Sequence, residues 1–310
     1  MNELNLYAKA SLDITEIKEK IRCGCDGIEF NLTEDFMVYG NDFRNHYSKD
    51  IFTLHNVEVV HVPYMANKQM MHMEHIFQHE DDSVITNVFC LAQYCADIWK
   101  HRILVVIHCG LSMYDFIEFE LFRKHLQKRL NELFREYPQV DIAIENVVAM
   151  EYKEERLEPP RLCNGIFLDT TEVAKYLRER FGERVGTVLD VCHAMMTEKY
   201  MNIWLREANF YPDDAENVPA KIDYSIEHYF EANRHICKLI HFNDFVENGY
   251  MKNHGTGFSS QEKVDDLLGL YRKYRYNCPL TLEIREENYG DCVNFRNTKR
   301  MIENNLQQEI

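Results

Sequence analysis

Several features that mark particular classes of protein are missing from this sequence. None of the ten cysteines stands in a Cys-x-x-Cys pair. The opening segment, MNELNLYAKASL, lacks the basic start and apolar run of a signal peptide. No apolar stretch approaches the roughly 20 residues that span a bilayer. We therefore expect a cytoplasmic protein with no membrane association, in which reduced cysteines mostly fill the core.

Positive charge is also scarce. The chain has 35 lysines and arginines against 51 aspartates and glutamates, a formal net charge of −16. This balance argues against a broadly basic nucleic-acid surface. A local basic rim around one pocket stays compatible with it, because charges more than about 10 Å apart are largely screened in 0.1 M salt.

Eight short apolar segments of β-type composition recur along the chain, separated by amphipathic segments with helical spacing. Several, such as ILVVIH and VGTVLDV, are almost continuously apolar, which is typical of strands buried on both faces of a parallel sheet. The predicted strands are residues 4–8, 27–32, 57–62, 103–108, 140–146, 185–191, 238–242 and 279–284. The repeated alternation predicts an α/β fold, a (β/α)8 TIM barrel formed by residues 1–310 as a single domain.

Capping residues indicate where the intervening helices begin and end. Asp13 can cap a helix over 14–22, and Gly182 can end one over 171–181. Further helices are predicted from Asp82 or Ser83 to Trp99, and over 116–137, 260–274 and 292–304. Two longer connections, 147–168 and 195–223, follow strands and are expected to form lids or substrate walls.

Imidazole and carboxylate side chains follow most of the predicted strands at the point where each strand ends. They are His61, His108, Glu145, Asp190, His193, His241 and Glu283, with His254 in a following loop. A single such histidine is more often a hydrogen-bonded structural residue. A barrel gathers the carboxyl ends of its strands at one mouth, however, so we expect this whole set to converge there. The mixture of donors suits zinc, manganese or iron(II), and the sequence predicts a metal-dependent enzyme.

The order of these residues resembles that of the xylose isomerase-like TIM barrel superfamily. The shared pattern is His…His…Glu-Asn…Asp-x-x-His…His-x-Asn-Asp…Glu, and it extends over nearly the whole chain. The superfamily includes endonuclease IV, of AP endonuclease family 2, and the sugar isomerases and epimerases. The pattern is specific to the superfamily and less specific within it.

Resemblance to endonuclease IV implies two or three zinc ions and attack of metal-bound hydroxide on a phosphodiester, in DNA with an abasic site. One metal would be bound by His61, His108 and Glu145. A second would be bound by Glu145, Asp190, His241 and Glu283. A third would take His193 and His254, although Lys252 stands where the family carries an aspartate.

Substrate contacts follow from the same resemblance. Tyr64 matches an aromatic residue that probes the DNA stack, and it would equally suit a pocket wall. Asn146, Asn243 and Arg285 are further candidate substrate-binding residues. Cations in the predicted mouth loops could meet phosphate, although solvated charge is the simpler interpretation of any one of them. These cations are Lys68, Lys153, Arg156, Lys252 and Arg285.

The sugar isomerases and epimerases imply a different chemistry on fewer residues. One divalent metal, such as manganese, would be bound by the second ligand set. Glu145 and Glu283 would act as general acid and base on a small sugar, cyclitol or phosphorylated substrate, and His193 would contact a substrate hydroxyl. A metal-retaining ligand sensor is a third, non-catalytic alternative. No protein partner is evident from the sequence.

Overall fold

In the computed structural model of the protein, residues 4–66, 69–70, 73, 83–109, 116–148, 152–153, 156–157, 167–207, 223–246, 254–286 and 291–307 are described. Eight parallel strands close into a barrel in which each strand pairs with the next along the chain and the last pairs with the first. The strands are β1 (Leu6–Ala10), β2 (Gly27–Asn31), β3 (Val57–His61), β4 (Ile103–His108), β5 (Val140–Glu145), β6 (Val185–Asp190), β7 (Cys237–His241) and β8 (Leu280–Leu282). The predicted (β/α)8 TIM barrel is confirmed.

Helices surround the barrel. They are α1 (Ile14–Arg22), α2 (Glu34–Tyr39), α3 (Phe43–His46), α4 (Lys49–Thr53), α5 (Ser83–Trp99), α6 (Phe116–Glu136), α7 (Phe167–Phe181), α8 (Val191–Glu207), α9 (Ile226–Asn233), α10 (Gln261–Lys273) and α11 (Val293–Gln307). In the part of the chain that the structure describes, no helix combines the length and the apolar composition needed to cross a membrane.

The predicted caps form as expected. A carboxylate oxygen of Asp13 accepts from the backbone N–H groups of Thr15 and Glu16 at 2.7 and 3.0 Å, which satisfies two orphan donors at the start of α1. Gly182 follows α7 with a φ of +59°, a left-handed conformation that favours glycine at a helix end.

Many of the predicted element ends differ from the observed ones by one to four residues, and two differences affect the candidate site. The first strand lies two residues further along the chain than predicted, from Leu6 to Ala10 instead of 4–8, so it includes Lys9. The predicted connection 195–223 is partly helical, because α8 starts directly after β6 and runs to Glu207; residues 208–222 lie outside the described part of the chain. The helix places His193 in its first turn, above the end of β6.

The barrel interior is filled in layers. An apolar layer consists of Tyr7, Val59, Val106, Ala143, Val188 and Leu239, one residue from each of six strands. Side chains alternate across a strand with a period of two, so the residue two positions further along each strand faces the interior again. Those next residues are Lys9, His61, His108, Glu145, Asp190 and His241. The apolar layer therefore forms the floor beneath a polar layer at the carboxyl ends of the strands.

Candidate metal centre

A ring of eight charged or imidazole side chains occupies this polar layer. We call it the polar ring; its members are Lys9, Glu29, His61, His108, Glu145, Asp190, His241 and Glu283, the last directly after β8. One comes from each strand, and all but Glu283 are at least nine-tenths buried. Six were predicted as metal ligands from the sequence. The structure brings those six together and adds Lys9 and Glu29.

Glu145 lies close to four histidines, and its two oxygens face different ones. Oε2 lies 2.9 Å from Nε2 of His61 and 3.6 Å from Nε2 of His108. Oε1 lies 3.3 Å from Nδ1 of His241 and 3.6 Å from Nδ1 of His193. The carboxylate thus connects one group of donors on β3 and β4 with another on β6, β7 and β8.

The second group converges on one ring nitrogen. Nδ1 of His241 lies 3.0 Å from Oε2 of Glu283, 3.3 Å from Oε1 of Glu145 and 3.8 Å from Oδ2 of Asp190. Among the described residues, each of these four atoms is buried without a hydrogen-bond partner. Four unsatisfied donor atoms directed at one point is the arrangement that a bound cation would satisfy.

Among the residues that the structure describes, ligand atoms with this convergence occur in three groups, each with its donors within 4.8 Å of one another. One is His61, His108 and Glu145; another is Glu145, Asp190, His241 and Glu283; the third is Glu29, His61 and His241. The first two coincide with the two ligand sets that the family resemblance implied. The third includes Glu29, which the sequence did not suggest.

Hydrogen bonds fix which nitrogen two of the histidines can present to a metal. Nδ1 of His61 donates to the carbonyl of Val62 at 2.8 Å, which leaves Nε2 to face Glu145. Nε2 of His241 donates to Oε2 of Glu29 at 3.1 Å, which leaves Nδ1 to face the carboxylates. Metal-binding histidines are held in this way by a carbonyl or a carboxylate on the opposite nitrogen.

The charges in the ring shift one another strongly. Burial raises the pKa of Glu145, but attraction to His241 and His108 outweighs it and holds this pKa well below its usual range. Burial lowers the pKa of His241, but Glu29, Glu145 and Glu283 raise it well above its usual value. For Asp190, burial is the largest influence, and with the repulsion from Glu283 and Glu145 it raises the pKa to about 6 despite the attraction of His193. The ring therefore favours positive charge at its centre.

The predicted third-site ligands are His193 and His254, and Nδ1 of His193 lies 3.6 Å from both Oε1 of Glu145 and Oδ2 of Asp190. Nδ1 of His193 donates to the carbonyl of Asn146 at 2.9 Å, and its ring centroid lies 5.5 Å from that of His254. Nε2 of His254 lies 3.3 Å from a guanidinium nitrogen of Arg285. Within the described residues, neither histidine belongs to a convergent group of three donors. Lys252 lies outside the described part of the chain.

The predicted substrate-binding residues occupy different environments. Tyr64 is 46% exposed, and its ring stands edge-to-face with His108 at 5.4 Å. Asn146 and Asn243 are buried, and their side-chain amides bind backbone groups of Asp190 and Glu283. Arg285 lies beside His254 at the edge of the site. Lys68 and the side chains of Lys153 and Arg156 lie outside the described part of the structure.

Lys9 and Glu29 are the members of the ring that sequence reasoning missed. A charged residue inside an apolar strand segment, as in LYAKA and GIEFN, is a signal that could have found them. Lys9 escaped because the predicted first strand ended at residue 8.

This chain has a (β/α)8 TIM barrel fold similar to that of solved xylose isomerase-like TIM barrels. Among solved structures it is similar to a zinc-bound IolI protein, with 12% identity, a TM-score of 0.56 and coverage of 98% of this chain and 97% of the other. It is also similar to SacUVDE, with 11% identity, a TM-score of 0.54 and coverage of 98% of this chain and 99% of the other. A xylose isomerase domain protein from Planctomyces limnophilus matches with 10% identity, a TM-score of 0.54 and coverage of 98% of this chain and 96% of the other.

These similarities establish the fold alone, because the identities are low. No family model matches the chain, and no curated protein matches it.

Proposed function

We propose that this protein is a divalent-metal-dependent phosphoester hydrolase with two neighbouring metal positions. The observation that carries the proposal is the division of Glu145, whose Oε2 faces His61 and His108 while Oε1 faces His241 and His193. A carboxylate divided in this way suits a bridge between two cations, and paired cations suit displacement at phosphorus.

The donor chemistry favours zinc. The first position offers two imidazoles and one carboxylate, and the second offers one imidazole and three carboxylates. Zinc binds both donor types, and it supplies Lewis acidity that activates water and neutralises charge on a phosphoryl oxygen. The chain's own residues orient the donors, exclude water from the floor and leave Tyr64 and Arg285 at the rim to meet a substrate.

The sugar isomerase alternative receives less support from the geometry. It requires Glu145 and Glu283 to exchange protons with substrate carbons. Both oxygens of Glu145 face histidines, and Oε1 of Glu283 lies 2.8 Å from the ammonium of Lys9. A carboxylate held by an ammonium group is a poor base, so a hydrolytic role suits these contacts better.

Metal content and hydrolysis together test the proposal. Protein purified without added metal is subjected to elemental analysis, then assayed with bis(p-nitrophenyl) phosphate, an abasic-site DNA duplex, and a panel of ketoses and cyclitols. We expect two zinc ions per chain and phosphodiester hydrolysis. One metal per chain with conversion of a ketose or cyclitol would overturn the proposal.

Glu145→Gln provides the matched variant. It should remove at least one metal and lower kcat/KM by about 100-fold or more, because transition-state charge stabilisation depends on the metals. Glu58→Gln is the control, since Glu58 is a partly buried glutamate at the opposite end of the barrel, beside His101. Its metal content should equal that of the unmodified protein.

A further inference from the structure

We propose that Lys9 is a positioning residue of the metal centre. It is a buried cation that fixes the side chains of Glu283 and Glu29, which flank it in the polar ring. The proposal rests on the proposed function only in that the ligands being positioned are those of the proposed metal centre. It assigns a role to the two ring members that no ligand set derived from the sequence includes.

Lys9 contacts one carboxylate oxygen of each of two neighbouring glutamates. Its ammonium lies 2.8 Å from Oε1 of Glu283 and 3.6 Å from Oε1 of Glu29. The remaining oxygen of Glu283, Oε2, points toward Nδ1 of His241. The salt bridge therefore leaves one oxygen of Glu283 available to a metal and favours a single orientation of the Glu283 side chain.

Glu29 transmits the same constraint to His241. Both of its oxygens lie 3.1 Å from Nε2 of His241, which donates to Oε2, and its Oε1 also lies 3.6 Å from the ammonium of Lys9. Lys9 thus fixes one metal ligand directly and a second through Glu29. Supporting residues of this kind orient ligands and are as necessary to a site as the ligands themselves.

The burial of these groups explains why a cation is needed here. Glu29, Glu145 and Asp190 are 0% exposed and Lys9 is 8% exposed. Several carboxylates this close together in the interior repel one another and carry a large desolvation cost unless a positive group compensates. Lys9 is the one lysine or arginine within the polar ring.

This placement also assigns the third convergent group, Glu29, His61 and His241, to a supporting role. Nε2 of His241 is engaged with Glu29, and Nε2 of His61 faces Glu145. The Lys9 ammonium beside Glu29 repels a further metal ion from that position. The geometry therefore points to two metal positions with Lys9 as the adjacent fixed cation.

Lys9→Met tests the role, with Lys20→Met as a matched control. Lys20 is a fully buried lysine on α1 whose ammonium lies 5.0 Å above the ring of Phe295, away from the polar ring. Each purified variant is stripped of metal and titrated with Zn²⁺ by calorimetry. Each is then loaded with Co²⁺, whose visible absorption spectrum reports the coordination geometry.

We expect Lys9→Met to raise the Zn²⁺ dissociation constant by about 10–100-fold and to alter the Co²⁺ spectrum, as loss of a ligand-orienting group does. Lys20→Met should keep the affinity and spectrum of the unmodified protein, whatever its stability. Equal affinities and spectra for the two variants would overturn the proposal.

Two further arms keep the outcome decisive. If Lys9→Met does not fold, Glu29→Gln takes its place; it removes the charge that links Lys9 to His241, and it should weaken Zn²⁺ binding and alter the Co²⁺ spectrum where Lys20→Met does not. The proposed function is tested separately, by the metal content and phosphodiesterase activity of the unmodified protein. Two bound metals without phosphodiester hydrolysis would reject the hydrolase and leave the Lys9 comparison intact.

Discussion

The side chain of Asn146 is bonded twice to the backbone of Asp190. Its amide nitrogen donates to the Asp190 carbonyl at 3.0 Å, and its amide oxygen accepts from the Asp190 N–H at 2.8 Å. Asn146 directly follows β5, and Asp190 is the last residue of the neighbouring strand β6. The pair therefore ties together the strand ends that carry Glu145 and the Asp190 carboxylate.

Replacement of Asn146 by alanine should weaken both the fold and the metal site. Leaving two buried backbone groups unpaired costs about 1–3 kcal/mol each, so urea unfolding should show a loss of about 2–6 kcal/mol. Asn243→Ala is the matched control, because its amide makes a single long bond of 3.4 Å to the Glu283 carbonyl. An equal loss in both variants would contradict the paired role of Asn146.

The two metal positions should respond separately to loss of a histidine. His61→Ala removes a donor from the first position only, so one of two zinc ions should be lost while the second stays bound. His101→Ala should retain both, because His101 bonds the Val57 carbonyl at the start of β3. Elemental analysis of the purified variants measures this, and loss of both metals from His61→Ala would show that the positions are not independent.

Asp190 should make the metal-free protein sensitive to pH. Its folded pKa of about 6 lies above the ordinary 3.8, so its contribution to stability is fully present below pH 3.8 and is lost as pH rises through about 6. Asp190→Asn removes this loss. In EDTA, the variant should gain up to about 3 kcal/mol relative to the unmodified protein between pH 4 and pH 7.

The same substitution should have the opposite effect on metal binding. The variant loses a carboxylate donor, so added Zn²⁺ should raise its Tm less than it raises that of the unmodified protein. Thermal unfolding from pH 4 to pH 8, with EDTA or with Zn²⁺, tests both effects. A parallel pH dependence in variant and unmodified protein would contradict the assignment to Asp190.

The opposite end of the barrel should affect stability without affecting the metal. There the carboxylate of Asp141 forms ion pairs with three cations. Its oxygens lie 3.3 Å from the ammonium of Lys238 and 3.7 Å from a guanidinium nitrogen of Arg184, and they also contact the guanidinium of Arg102. Asp141→Ala leaves three cations facing one another, and we expect a loss of about 1–2 kcal/mol from these partly exposed pairs. Zinc titration should give an unchanged dissociation constant, and a change of tenfold or more would show that the two ends are coupled.

Much of the fold could be predicted from the sequence because it depends on local patterns. Continuous apolar runs such as ILVVIH mark strands buried on both faces, and Asp13 and Gly182 mark helix ends through their own backbone chemistry. The short helices α2 to α4 were not predicted, since segments of four to six residues carry too few turns to show a helical period.

The polar ring was only partly predictable for a different reason. His61 and Glu145 could be found because each ends a recognisable strand. Lys9 is a lysine in a strand interior, an unfavourable assignment until Glu29 and Glu283 are known to lie beside it on the two strands that pair with β1. Local pattern contains no information about such distant partners.

Because the ring is distributed over all eight strands, the proposed metal centre requires the closed barrel. Glu29 and His241 are separated by 212 residues, and Glu283 follows the final strand. During synthesis, a nascent chain that lacks β8 has neither the Glu283 ligand nor a partner to close β1 against. Full occupancy of the proposed centre would therefore wait for β8, and the Lys9–Glu283 salt bridge then joins the first and last strands at their seam.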